Sequence, residues 1–141
     1  MNAEVFIDTN VFLYSLSDRP EEQAKAERAR QLLLTENWGW SVQVVGEFYY
    51  VATSAKRRFQ LPHSSAMEYV ETWLKFPTAS LHPSTVLNAL QLRDRFQVSY
   101  WDAAIIAAAQ DLGCGTIYSE DPNDGQDYGG VKVVNPFLAS P

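Results

Sequence analysis

Short apolar runs alternate with helix-like segments along this chain, and that alternation constrains its fold more than any other feature. Each run is only three or four residues long, whereas the segments between them carry apolar residues at helical spacing. Strands that alternate with helices pair in parallel through crossover connections. The sequence therefore predicts an α/β fold, a three-layer α/β/α sandwich with a mainly parallel central sheet. The predicted strands are 5–7, 38–40, a brief run near 79–81, 116–118 and 131–134.

The expected helices begin and end at recognisable signals. Ser41 and Ser99 are of the residue type that caps helix N-termini, and Pro20 and Pro83 suit a first helical turn. Gly113 follows a long Ala-rich segment and provides a helix stop. These signals divide the chain into helices without leaving room for an interdomain linker, so we expect one domain spanning residues 1–141.

Composition narrows the class of protein. The chain has 141 residues, of which 46% are hydrophobic, enough for one good core. Cys114 is the single cysteine and cannot close an intrachain disulfide, which favours a reducing compartment. No targeting segment or apolar run of about 18 residues is evident. We therefore expect a cytoplasmic protein with no membrane partner.

Four acidic residues occupy the places where apolar runs end or helices begin. They are Asp8, Glu47, Asp102 and Asp121. In parallel sheets such positions meet at the carboxyl edge, where clustered carboxylates repel each other unless a hard cation binds them. No histidine or cysteine joins the set, so Mg²⁺ or Mn²⁺ is favoured over zinc. The pattern predicts one shared metal site.

Each acid also has a purely structural interpretation. Asp8 suits an N-cap, and Asp102 follows Ser99 at the spacing of a capping box. Asp121 precedes a turn-forming series. Glu47 is harder to explain this way, because a carboxylate beside an apolar helix stripe is usually paired or functional. Only the joint placement of all four favours a metal site.

Charge does not exclude a nucleic-acid partner. The chain carries 17 acidic and 11 basic residues, a formal net charge of -6. Bound divalent ions reverse the sign of an acidic site, so the overall acidity is compatible with RNA. The basic run Lys56–Arg58 is a candidate contact for a phosphate backbone, although a solvated helix face explains it equally.

With these residues in view, the chain resembles the PIN-domain family of metal-dependent ribonucleases, and most closely its VapC-type toxins. The resemblance rests on FIDTNVFLY, SVQVVGEFYYV, SYWDAAIIAAA and YSED, followed by VVNPF. It implies that the four acids bind the metal and act in catalysis, with Asp124 in reserve for the fourth position. It also implies supporting roles for Thr9, Asn10 and Ser119.

The resemblance further implies an Mg²⁺- or Mn²⁺-dependent endoribonuclease that acts as the toxin of a toxin–antitoxin pair. Its partners would be RNA, a cognate antitoxin and a second copy of the chain. Phe12, Tyr14 and residues 32–34 could form an apolar groove for a partner helix, or simply fill the core.

Three other functions remain in competition. A haloacid-dehalogenase-type phosphatase needs a second Asp two residues after the first, but position 10 is Asn. A receiver domain needs a lysine near the acidic pocket, whereas Lys132 alternates with apolar neighbours and should face outward. A non-catalytic PIN-fold module for protein binding is the third, and retention of all four acids argues against it.

Overall fold

A six-stranded sheet lies at the centre of the computed structural model, which describes residues 2–55, 60–120 and 124–138. The strand order is β3-β2-β1-β4-β6-β5, and every pairing is parallel except that of β5 with β6. The central strands β1 and β4 are paired so that Ile7 lies opposite Tyr118. The strands are β1 (Val5–Ile7), β2 (Trp38–Ser41), β3 (Thr78–Ala79), β4 (Thr116–Tyr118), β5 (Asp127–Tyr128) and β6 (Val131–Val134).

In the part of the chain that the structure describes, six α-helices cover the two faces of this sheet. Right-handed crossovers from β1 to β2 and on to β3 place the first four helices on one face, and the return from β3 to β4 places the last two on the other. The three-layer prediction is confirmed. The helices are α1 (Thr9–Ser15), α2 (Gln23–Thr35), α3 (Val42–Ala52), α4 (His63–Trp73), α5 (Pro83–Phe96) and α6 (Tyr100–Asp111).

Helix α6 is the most deeply buried of these helices. All seven residues from 103 to 109 are buried, because α6 lies between α5 and the sheet. Ser99 caps its N-terminus by accepting a hydrogen bond from the Asp102 amide at 3.1 Å, and Gly113 follows its end with a φ of 73°. Both predicted boundary signals of this helix are confirmed.

Aromatic side chains fill the space between β2 and the helices α1, α3 and α4. The Phe12 ring lies 4.8 Å from Trp40 and 4.9 Å from Trp73, measured between centroids. Phe12 and Leu32 are completely buried, whereas Leu34 is 85% exposed. The suggestion that Phe12 and Leu32 line an open groove is therefore wrong, since the core covers both.

Two strands differ from the prediction. Strand β3 occupies Thr78–Ala79, slightly before the expected run, because Leu81 already lies exposed in the approach to α5. The short antiparallel strand β5 was not anticipated, since its sequence is rich in turn-forming residues. Lys132 is exposed between buried neighbours, as the alternating pattern predicted. No helix in the described ranges has the length and apolar character needed to span a membrane.

Candidate metal and catalytic site

The centre of the candidate site is Asp8, at the carboxyl end of β1. Its Oδ1 accepts a hydrogen bond from the Thr9 amide at 2.7 Å, which makes it the N-cap of α1. Its Oδ2 accepts a hydrogen bond from Ser119 Oγ at 2.8 Å. Ser119 lies opposite because it directly follows the register pair Ile7 and Tyr118 on neighbouring parallel strands. Both oxygens of the carboxylate are thus oriented by the fold.

Asp102 reaches the same place from the first turn of α6. It lines a small cavity together with Asp8 and Ser119. The cavity volume is about 30 Å³, which is room for roughly one water molecule. The remaining lining is largely apolar and consists of Val98, Ile105, Ile106, Ile117, Tyr128 and Val133. Two carboxylates and a hydroxyl therefore share a pocket with a mainly hydrocarbon lining.

Glu47 is exposed on α3 and is held by two side chains. Thr9 Oγ1 donates a hydrogen bond to Oε2 at 2.7 Å, and Gln43 Nε2 donates to Oε1 at 3.2 Å. Thr9 directly follows Asp8, so this hydrogen bond links the carboxylate of Glu47 to the same end of β1. Gln43 was missed as a supporting residue, although its position one helical turn before Glu47 is a readable signal.

The influences on the pKa of Asp8 also indicate that Asp8, Glu47 and Asp102 lie near one another. Burial raises the pKa of the Asp8 carboxyl, against the lowering effect of the hydrogen bonds from Thr9 and Ser119. The negative charges of Glu47 and Asp102 raise this pKa further. A cation placed among these groups would offset both the burial and the repulsion.

The donor chemistry fits a hard divalent cation. Within residues 2–55, 60–120 and 124–138, no three His, Cys, Asp or Glu side chains are arranged to enclose a metal ion. Mg²⁺ does not need such a cage, because it keeps several waters and takes one or two carboxylates directly. Among the residues that the structure describes, the buried Oδ1 of Asn10, two positions after Asp8, has no hydrogen-bond partner and is a further oxygen acceptor.

The remaining predicted residues are Asp121, Asp124 and the basic run Lys56–Arg58. Asp121 and the basic run Lys56–Arg58 lie outside the described residues. Asp124 is exposed, and its Oδ1 accepts a hydrogen bond from the Asn135 amide at 2.6 Å. Asp124 therefore has a structural bond to the segment that follows β6.

Glu120, which directly follows Ser119, joins a separate polar cluster. Its carboxylate forms an ion pair with Lys25 and accepts a hydrogen bond from Tyr14 Oη at 2.7 Å. The Lys25 ammonium also lies 4.9 Å from the centroid of the Tyr14 ring. Sequence patterns do not predict this cluster, because nothing in the local pattern links residues so far apart.

The PIN-domain family model matches residues 5–125. The chain belongs to the PIN-domain family. That match covers β1, the three described acids of the candidate site and the positions around Ser119. A search of curated proteins finds no match.

Several solved structures are similar to most of this chain. A toxin–antitoxin complex from Klebsiella pneumoniae is 18% identical with a TM-score of 0.68, covering 94% of this chain and 98% of its own. The Sarcin-Ricin loop cleaving toxin VapC20 of Mycobacterium tuberculosis is 18% identical with a TM-score of 0.67, covering 85% and 92%. DNA-bound VapBC from Salmonella typhimurium is 16% identical with a TM-score of 0.64, covering 93% and 96%. At these identities the likeness establishes the fold.

Proposed function

We propose that this PIN-domain protein is a metal-dependent endoribonuclease and the toxin of a toxin–antitoxin pair. The observation that carries the proposal is the convergence of Asp8, Asp102 and Ser119 on one small cavity, with Glu47 tied to the same edge through Thr9. Carboxylates held close together despite their mutual repulsion are typical of sites for metal-assisted hydrolysis.

In this proposal Asp8, Glu47, Asp102 and Asp121 hold Mg²⁺ or Mn²⁺. When bound, the metal would supply activation of water at neutral pH and stabilisation of charge on the phosphate. The chain's own part is to fix the carboxylates: Ser119 orients Asp8, and Thr9 orients Glu47. The apolar lining of the cavity limits water, which strengthens the electrostatic interactions of the carboxylates.

The similar structures support the assignment of partners. They include a Sarcin-Ricin loop cleaving toxin, a toxin–antitoxin complex and a DNA-bound VapBC. By analogy we propose an RNA substrate, a cognate antitoxin and a homodimer for this chain. Light scattering of the purified protein, alone and with its antitoxin, tests the last two.

The basic run Lys56–Arg58 is proposed to contact the RNA backbone. Replacing its three residues with Ala should weaken RNA binding and reduce its salt dependence, because fewer counterions are released. A filter-binding titration over a range of salt concentrations measures both quantities. An unchanged salt slope would contradict the contact.

The decisive experiment is cleavage of total RNA with Mg²⁺, with Mn²⁺ and with EDTA. We expect discrete fragments from the wild type with metal, and a loss of several orders of magnitude in Asp8→Asn and Asp102→Asn. Asp18→Asn is the matched control, since Asp18 is exposed on a loop away from the cavity lining. Equal cleavage by all variants would reject the catalytic assignment. Metal binding without cleavage of any RNA would favour a protein-binding module instead.

A further inference from the structure

Trp101 is an exposed aromatic residue beside the candidate site. The chain has four tryptophans, and the other three are at most 9% exposed, whereas Trp101 is 65% exposed. A large apolar ring gains free energy when it is covered, so such exposure in an otherwise well-buried set is informative. It indicates a ring that contacts a partner.

The position of Trp101 links that partner to the acidic site. It directly precedes Asp102 in the first turn of α6, which Ser99 caps. The neighbouring Tyr100 ring packs edge-to-face against it at a centroid distance of 5.1 Å, and Tyr100 in turn packs against the core. The indole is therefore supported by a ring that packs on the core, one position before a residue that lines the cavity.

The negative charge around the cavity favours contact through uncharged groups of the partner. Without a bound cation, the three carboxylates repel the phosphates of an approaching nucleic acid, and Lys25, which reaches the segment after Ser119, is already paired with Glu120. Nucleobases are uncharged and stack on aromatic rings. Tyr50, three residues after Glu47 on α3, is also 75% exposed, so a second carboxylate-bearing helix presents a ring to solvent.

We propose that Trp101 is a stacking platform for an unpaired nucleobase of the RNA substrate. This inference rests on the proposed nuclease function and adds to it a residue that would hold an unpaired base of the substrate. Bases within a duplex already stack on one another and cannot cover the indole, whereas an unstacked base can.

The test compares Trp101→Ala with Trp101→Phe, which keeps a ring. Leu87→Ala is the matched control, because Leu87 is 62% exposed and lies beside Asn88, which bonds Gln110 near the far end of α6. Binding of labelled single-stranded and duplex oligoribonucleotides is measured by fluorescence anisotropy in EDTA. Iodide quenching of tryptophan emission, with and without saturating RNA, reports the exposure of Trp101 directly. Cleavage of the same oligonucleotides with Mg²⁺ gives KM and kcat.

We expect Trp101→Ala to weaken single-strand binding and raise KM by about tenfold, whereas Trp101→Phe stays within about threefold of wild type. RNA should also protect the wild-type emission from iodide, and Leu87→Ala should bind like wild type. Equal binding by Trp101→Ala, unprotected emission, or no RNA binding by the wild type would each overturn the proposal. Altered oligomeric state with unchanged RNA affinity would assign Trp101 to a protein interface and overturn it too. RNA binding with protected emission but no cleavage would reject the nuclease and retain the stacking site.

Discussion

Ser119 Oγ donates a hydrogen bond to Asp8 Oδ2 at 2.8 Å, across 111 positions of sequence. The two residues meet because they follow paired ends of the neighbouring parallel strands β1 and β4. Thr9 holds Glu47 in the same way at 2.7 Å. Two hydroxyl groups therefore fix the directions of two carboxylates before any cation binds.

Replacing Ser119 with Ala should weaken binding of Mg²⁺ or Mn²⁺ by about 10- to 100-fold, the usual cost of losing a group that orients a ligand. The Asp8 carboxylate would lose one of its two hydrogen bonds and rotate more freely. Isothermal titration calorimetry measures the affinity, and Ser80→Ala, at an exposed position before α5, is the control. Wild-type affinity in Ser119→Ala would show that this hydroxyl does not position the ligand.

Thr9→Val and Thr9→Ser separate the hydroxyl of Thr9 from its bulk. Val matches the shape of Thr but cannot donate to Glu47, so we expect metal-dependent cleavage to fall at least tenfold. Ser retains the donor and should stay within a few-fold of wild type. The ratio of the two kcat/KM values is the measurement, and similar losses in both variants would point to packing instead.

The positions of most core strands, and of Asp8 and Asp102 at the strand and helix ends, were predictable because their signals are local. Each strand is a short apolar run, and Asp8 and Asp102 stand in capping patterns that mark the starts of α1 and α6. Parallel pairing then brings their ends together without further information.

Contacts between distant residues could not be predicted from these patterns. The ion pair of Lys25 with Glu120 joins a helix face to a strand end 95 positions away, and no periodicity encodes such a meeting. Helical spacing also indicated that Phe12 belongs to an apolar helix face. It did not show that α4 and β2 cover that face. Burial by remote elements is a property of the assembled core.

Glu120→Gln tests how much that ion pair stabilises the fold. Partial burial works to raise the pKa of Glu120, but hydrogen bonds from Lys25 and Tyr14 hold it below its ordinary value. A lowered folded-state pKa contributes stability above the unfolded-state pKa and loses it as the pH falls through the folded value. Because both side chains are partly exposed, the loss near neutral pH should be at most about 1 kcal/mol. Urea denaturation of wild type, Glu120→Gln and the exposed control Glu68→Gln measures it, and a difference that persists at strongly acidic pH would contradict the charge explanation.

Replacement by Ala should change the free energy of unfolding in opposite directions at two glycines. A Cβ at Gly39 in β2 would lie 2.8 Å from Leu112 Cδ1 and 2.9 Å from the Pro77 carbonyl oxygen. The backbone oxygen cannot move aside cheaply, so Gly39→Ala should lower the free energy of unfolding by about 1–3 kcal/mol. At Gly46 in α3 a Cβ would meet nothing within 4 Å, and Ala should stabilise the helix by about 0.5–1 kcal/mol. Denaturant midpoints of the two variants compare them directly, and equal shifts would contradict the packing argument.

Asp8→Asn should be more stable than wild type without metal and less stable than wild type with metal. Burial raises the pKa of Asp8, so the folded state holds its proton more strongly than the unfolded state, and stability falls as the pH rises through that range. Asn removes the charge and still caps α1, so in EDTA near neutral pH we expect the variant to have the higher Tm. With metal at about 100 times its Kd, the wild type should gain about 2.7 kcal/mol and Asp8→Asn much less. Thermal unfolding in EDTA and in Mg²⁺ measures both, with Asp18→Asn as the control. A lower Tm for Asp8→Asn in EDTA would show that its charge is not costly, and equal gains with Mg²⁺ would remove Asp8 from the metal site.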